Sequence, residues 1–225
     1  MALQDPFSLT PDSLAAITAR VSAARLRKYY QAANGDGQLA MRLYRWNCSI
    51  SQSLWWPLQT LEIATRNSIA SVLTARYGAN WPHDPRFLAN LGKEDKDSLA
   101  DTLSRQRRAY GRAWPPVDAM VSDLSLGFWV SMLTRKYDVP FGWATRIKMA
   151  FPNLPAGCNR QTVYRPLEDI RILRNRIAHH EPIFHLMLDI RYGETVRLLE
   201  WISPALAWYA QTTSDFLEVH ETKPV

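Results

Sequence analysis

From Leu14 to Tyr209, apolar side chains recur at steps of three and four residues, and no run alternates apolar with polar long enough to compete. A period near 3.6 places such residues on one helical face, whereas a half-buried strand needs a period of two. The chain is therefore restricted to packed helices, and an all-α bundle is predicted. With 47% apolar residues it can fill a core, and 225 residues suffice for one large domain or two small ones. No repeat, low-complexity tract or shift in composition divides it. One domain over residues 1–225 is expected, with a polar, frayed tail from about residue 219.

Turn and cap signals cut the pattern into segments. Thr10-Pro11 reads as a cap and first helical residue, followed by Leu14, Ile17, Val21 and Ala24 on one helix. Its Arg20, Arg25, Arg27 and Lys28 read first as a solvated basic face and second as a phosphate-binding stripe. Asn34-Gly35-Asp36-Gly37 is a turn between helical flanks. Leu39, Leu43, Trp46, Ile50 and Leu54 form the next stripe, which Trp55-Trp56-Pro57 is predicted to end or kink. The pattern resumes at Leu58 and closes at Tyr77-Gly78.

Residues 80–85 read as a loop, and 93–110 as an exposed, charged helix. Arg105, Arg107, Arg108 and Arg112 there form a remote basic patch, or a plain solvated face. After the break at Trp114-Pro115-Pro116, Val117, Val121, Leu124 and Phe128 suggest one helix. Its mid-helix Gly127 suggests close packing. Residues 137–155 form a shorter helical region. Residues 186–209, interrupted at Gly193 and Ser203-Pro204, suggest one or two closing helices.

The richest chemistry lies in Ile170–Phe184. Pro166, Glu168 and Asp169 suit a helix start, and Pro182 should end the helix near His180. Ile170, Leu173 and Ile177 anchor it to a core. Asn175 and His179, four apart, share a face. Arg174 lies about 140° from His179 on an ideal helix, a gap its long side chain or a loosened last turn would have to close. Histidine exchanges protons near neutral pH, arginine grips a phosphate bidentately, and asparagine can orient either. These are parts for cleaving a phosphodiester without metal. Because His179 and His180 are adjacent, they point in different directions, so at least one should face a cleft, solvent or a partner.

Arg174-Asn175-x-x-x-His179 resembles the catalytic motif of HEPN-domain ribonucleases. The string Leu173-Arg174-Asn175-Arg176-Ile177-Ala178-His179-His180-Glu181-Pro182-Ile183 resembles their Abi-like (abortive infection) branch more closely. Two earlier segments also look Abi-like: Leu61–Asn67 with the Tyr77-Gly78 and Trp81 turn, and Asp123–Trp129. The resemblance implies a HEPN-like helical bundle with additional helices and a homodimer with a composite active site. It implies an endoribonuclease that leaves 2′,3′-cyclic phosphates and acts in phage defence or as a toxin. Control by a regulatory protein or a small RNA would follow. Arg174, Asn175 and His179 would be catalytic; Arg171, Arg176 and His180 would bind RNA. Glu62 and Arg66, paired at i, i+4, would brace the catalytic helix. The alternative is a non-catalytic RNA-binding or protein-interaction helical module. A third reading is structural: His179 caps the helix and Asn175 bonds to it.

Composition agrees without deciding. A formal charge of +6 and a pI near 9.5 favour anionic partners such as RNA. Nine tryptophans suggest an aromatic core or an aromatic interface. Cys48 and Cys158 are far apart and read as reduced, buried thiols. His180-Glu181-Pro182-Ile183-Phe184-His185 is one residue too long for a zinc-protease motif, and Pro182 breaks the helix such a motif needs. No metal and no cofactor are expected. Phosphate-loop, dinucleotide and nucleophile-elbow motifs are missing. Neither a secretory signal nor a membrane span is visible, so a cytoplasmic location is the default.

Overall fold

In the turn at Asn34–Gly37, Asn34 and Gly35 adopt positive φ, and Asp36 then caps the longest helix by accepting from the amides of Gln38 and Leu39. That helix, α3 (Gly37–Tyr77), is about 60 Å long at 1.5 Å per residue. The computed structural model describes residues 9–111 and 115–224. Among these lie thirteen α-helices and two short 3-10 turns, with no strand. The fold is all-α. Preceding α3 are α1 (Pro11–Val21) and α2 (Ala23–Ala32); following it are α4 (Pro85–Asn90), α5 (Lys93–Tyr110), α6 (Val117–Asp123) and α7 (Leu126–Ser131). Next come α8 (Asp138–Phe141), α9 (Trp143–Ala150) and α10 (Arg160–Ala178). The chain closes with α11 (Leu188–Ile202), α12 (Pro204–Thr212) and α13 (Phe216–Glu221).

Helix α3 is the spine: α2 and every helix from α6 to α13 pack against it. It continues through Pro57, so of the predicted end or kink the end does not occur. The proline removes the donor for Ser53's carbonyl and costs about 3 kcal/mol in a helix interior. Buried Leu54, Leu58 and Leu61 each contribute about 1.5–3 kcal/mol on the same element, so packing outweighs the defect.

The same override lengthens α10. Its start is not at Pro166 but at Asn159, whose side chain caps Gln161 and Thr162 while Thr162 returns a bond to the Asn159 amide. Pro166 sits buried two turns inside. Gly193 likewise lies within α11 and does not interrupt it. Two closing helices, α11 and α12, form over 186–209 as expected, and α13 follows beyond them. The tail from residue 219 is docked, not frayed, through residue 224: Trp46 donates to the Val219 carbonyl and Lys223 to that of Phe184.

Two expected single helices are each divided at a serine. Ser22, at φ 81°, separates α1 from α2 and caps α2; Ser125 separates α6 from α7 and caps the Phe128 amide. Gly127 consequently falls in the first turn of α7, and a Cβ there would make only ordinary contacts with Ser125 and Arg171. Close packing does not explain this glycine. Thr10-Pro11 and Tyr77-Gly78 do terminate helices as expected.

The tryptophans divide between core and surface. Trp81, Trp129 and Trp143 are fully buried, with Trp81 edge-on to Phe87 and Trp129. Trp55, Trp56 and Trp208 are exposed. Trp114 and Arg112 lie outside the described residues. Neither thiol is buried: Cys48 is exposed and Cys158 is partly so. Among the described residues, no helix is long and apolar enough to cross a membrane.

Candidate functional site

Helix α10 presents its buried side, including Ile170, Leu173 and Ile177, to the core. Its last turn is closed by a Schellman motif. The Glu181 amide donates to the Arg176 carbonyl and the His180 amide to that of Ile177, while His180 takes φ 56°. The helix thus ends where Pro182 suggested, and the last turn is regular rather than loosened. Glycine normally holds that left-handed position, because Cβ crowds it by about 1–2 kcal/mol. Replacing His180 with glycine is expected to stabilise the protein by about 0.5–1 kcal/mol after the added unfolded-chain entropy. Urea denaturation measures this, and a loss of stability would instead mean that the imidazole holds the turn.

The chain after the motif is pinned to α3 and α2. Buried Asn47 of α3 accepts from the amides of Ile183 (2.7 Å) and Phe184 (3.1 Å). Arg25 of α2 donates to the His180 carbonyl. Arg25 therefore belongs to this framework, whereas Arg20, Arg27 and Lys28 remain on an exposed face. His185 follows on the same segment; partial desolvation and then Lys28, Arg176 and Lys223 lower its pKa and favour its neutral form.

Arg174 points to α3. Its Nε donates to Glu62 Oε2 at 2.9 Å, and its guanidinium lies 5.3 Å from the Trp55 ring centroid. The expected Glu62–Arg66 pair does not form. Arg66 instead donates to the Ser122 carbonyl, and its Nε is buried with no partner. Glu62 does brace the motif helix, but by holding Arg174 directly. Arg171 is held bidentately by Glu168 at 2.7 Å, which raises its pKa further, and Arg176 lies 3.7 Å from Glu181. Both would have to loosen an ion pair to grip a phosphate.

Asn175 and His179 lie on a different face of α10 from Arg174. His179 is exposed, and neither side chain makes a hydrogen bond with the described residues. The His179 amide bonds to the Asn175 carbonyl, so its capping role is a main-chain one and no side-chain bond joins the two residues. Within one chain, the angular gap between Arg174 and His179 stays open. The adjacent histidines do reach solvent, both being exposed.

A groove between α3 and α10 adjoins the motif. One depression of about 580 Å³ is lined by Tyr44, Cys48, Trp55, Trp56, Ala178 and His180, among others. A second of about 320 Å³ holds Glu62, Arg66 and Arg174. They share Trp55 and Gln59. Trp55 and Asn47 are the residues that sequence reasoning passed over. A tryptophan outside the Leu54–Leu58 stripe was the one available signal, whereas nothing local marked Asn47. Among the described residues, no cluster of three or more His, Cys, Asp or Glu side chains is arranged to hold a metal ion. No protein-family model, curated protein or solved structure matches the chain.

Proposed function

We propose that this protein is a metal-independent endoribonuclease of the HEPN type, working as a homodimer in phage defence or as a toxin. The observation that carries this reading is exposed His179 with half-buried Asn175, neither side chain hydrogen-bonded among the described residues, on the same helix as an arginine already fixed in a groove. A general acid–base needs access to substrate, and a phosphate-binding arginine needs positioning; the two environments suit those roles.

The 2′-hydroxyl of the substrate attacks the adjacent phosphate. His179 of one protomer removes that proton, and the partner subunit's His179 protonates the departing 5′-oxygen. Arg174 neutralises charge on the phosphoryl oxygens, and Asn175 orients them. The second copy also supplies the proximity that one chain lacks between Arg174 and His179. Exposed Ile172, on the same face as His179, provides apolar surface for that contact.

The test is incubation of purified protein with cellular RNA in EDTA, followed by analysis of product ends. Cyclic phosphates and 5′-hydroxyls are expected, with no cutting of DNA, which lacks the attacking group. Cleavage abolished by EDTA, or a monomer in sedimentation at micromolar concentration, would overturn the composite metal-independent site. A second reading, RNA binding without cutting, draws on the Glu62–Arg174 pair, since an arginine committed to a carboxylate is less available to a reacting phosphate. Salt-sensitive binding with intact RNA would select it.

A further inference from the structure

A cleft of about 700 Å³ lies away from the motif, at the other end of α10, between that helix, α8, α9 and the 3-10 turn Arg135–Tyr137. Its charge is lopsided. Arg135, Arg160 and Arg165 line it against one carboxylate, Asp138. Asp138 is already held by Arg160, which also donates to the Leu133 carbonyl. Arg135 and Arg165 are exposed and make no side-chain hydrogen bond or ion pair among the described residues. The two unpaired arginines line a concavity whose only acid is neutralised, an arrangement suited to a phosphate.

The cleft offers more than charge. Tyr164 of α10 and the α9 side chains Ala144 and Ile147 supply an aromatic and apolar wall, and Gln161 adds an amide. The volume lies within the range of small-molecule sites and far exceeds one phosphate. Asn159 already takes the Gln161 and Thr162 amides at the start of α10, so recognition falls mainly to side chains.

We propose that this cleft binds a nucleotide, with Arg135 and Arg165 on the phosphate and Tyr164 beside the base. The ligand is either a free nucleotide or one unit of an RNA strand. Gln161, Tyr164 and Arg165 share one side of α10 with Asn175 and His179, about 15–27 Å further along the helix. A strand could therefore run from one site to the other, but nucleotide binding itself does not depend on the nuclease reading.

Cys158 lines the cleft and reports its occupancy through its labelling rate. The experiment uses the full chain with Cys48→Ser and His179→Ala, so that one thiol remains and RNA is not cut. Maleimide modification is followed in EDTA with ATP, with a twelve-residue oligouridylate, and with inorganic phosphate as competitor. Labelling is expected to slow at least fivefold with a nucleotide ligand and to recover in Arg135→Gln/Arg165→Gln. Protection by ATP identifies a free nucleotide; protection by the oligonucleotide alone identifies a strand. Labelling unaffected by either at millimolar concentration, or protection surviving in the double variant, overturns the proposal. Because both arginines are unpartnered, the double variant should keep its thermal midpoint; Arg165→Gln alone gives the same comparison if it does not.

Discussion

His179→Ala is expected to lower the RNA-cleaving rate by a factor of about 10² to 10⁴ while leaving the fold intact. The two halves of this expectation rest on different observations. The rate falls because the proposed proton transfer loses its only well-placed imidazole. Stability holds because the side chain is exposed and makes no hydrogen bond, so the substitution should stay within about 0.5 kcal/mol. Arg174→Ala should behave differently, since it leaves the partly buried Glu62 carboxylate without its partner and uncovers Trp55. It should lose both activity and stability. Single-turnover cleavage and thermal melts of the two variants separate chemistry from architecture. An unchanged cleavage rate in His179→Ala would sink the assignment of this residue.

The largest structural effect is expected at a residue with no proposed chemistry. Asn47→Ala removes the acceptor for the Ile183 and Phe184 amides, both on buried residues. Each stranded donor costs about 1–3 kcal/mol, so a loss of roughly 2–5 kcal/mol is expected. Cys48→Ala, one position along and exposed, should stay within about 0.5 kcal/mol. Chemical denaturation distinguishes them, and equal effects would mean that the loop after α10 is held by something other than Asn47. The amides in question lie three and four residues after His180, so on the proposed mechanism the variant should also weaken cleavage by loosening the end of α10.

What could be read from the residues, and what could not, follows one line. Local signals succeeded where local physics decides: the caps at Thr10 and Gly78, the stop before Pro182, and the helical period throughout. They failed where distant packing decides. Pro57 and Pro166 carry strong local penalties, yet buried leucines on the same helices outweigh them. The breaks at Ser22 and Ser125 were hidden because apolar spacing continues across each serine. At the candidate site, the types of residue were legible and their partners were not. Glu62 has Arg66 one turn away but takes Arg174, 112 residues later, because α10 packs against α3 there. Asn47 reaches across 136 residues to Ile183. No spacing rule within a helix encodes such pairs.

The unequal standing of α3 and α1 has a consequence for how the molecule opens. Nothing in α1 is buried, whereas α3 touches most of the other helices. Amide protons of α1 should therefore trade with solvent deuterium by local fraying, while those in the middle of α3 should trade only when the whole chain comes apart. A protein built this way can open at its first helix while its spine stays folded. The groove holding Arg174, one wall of which is α3, should persist until everything else is lost.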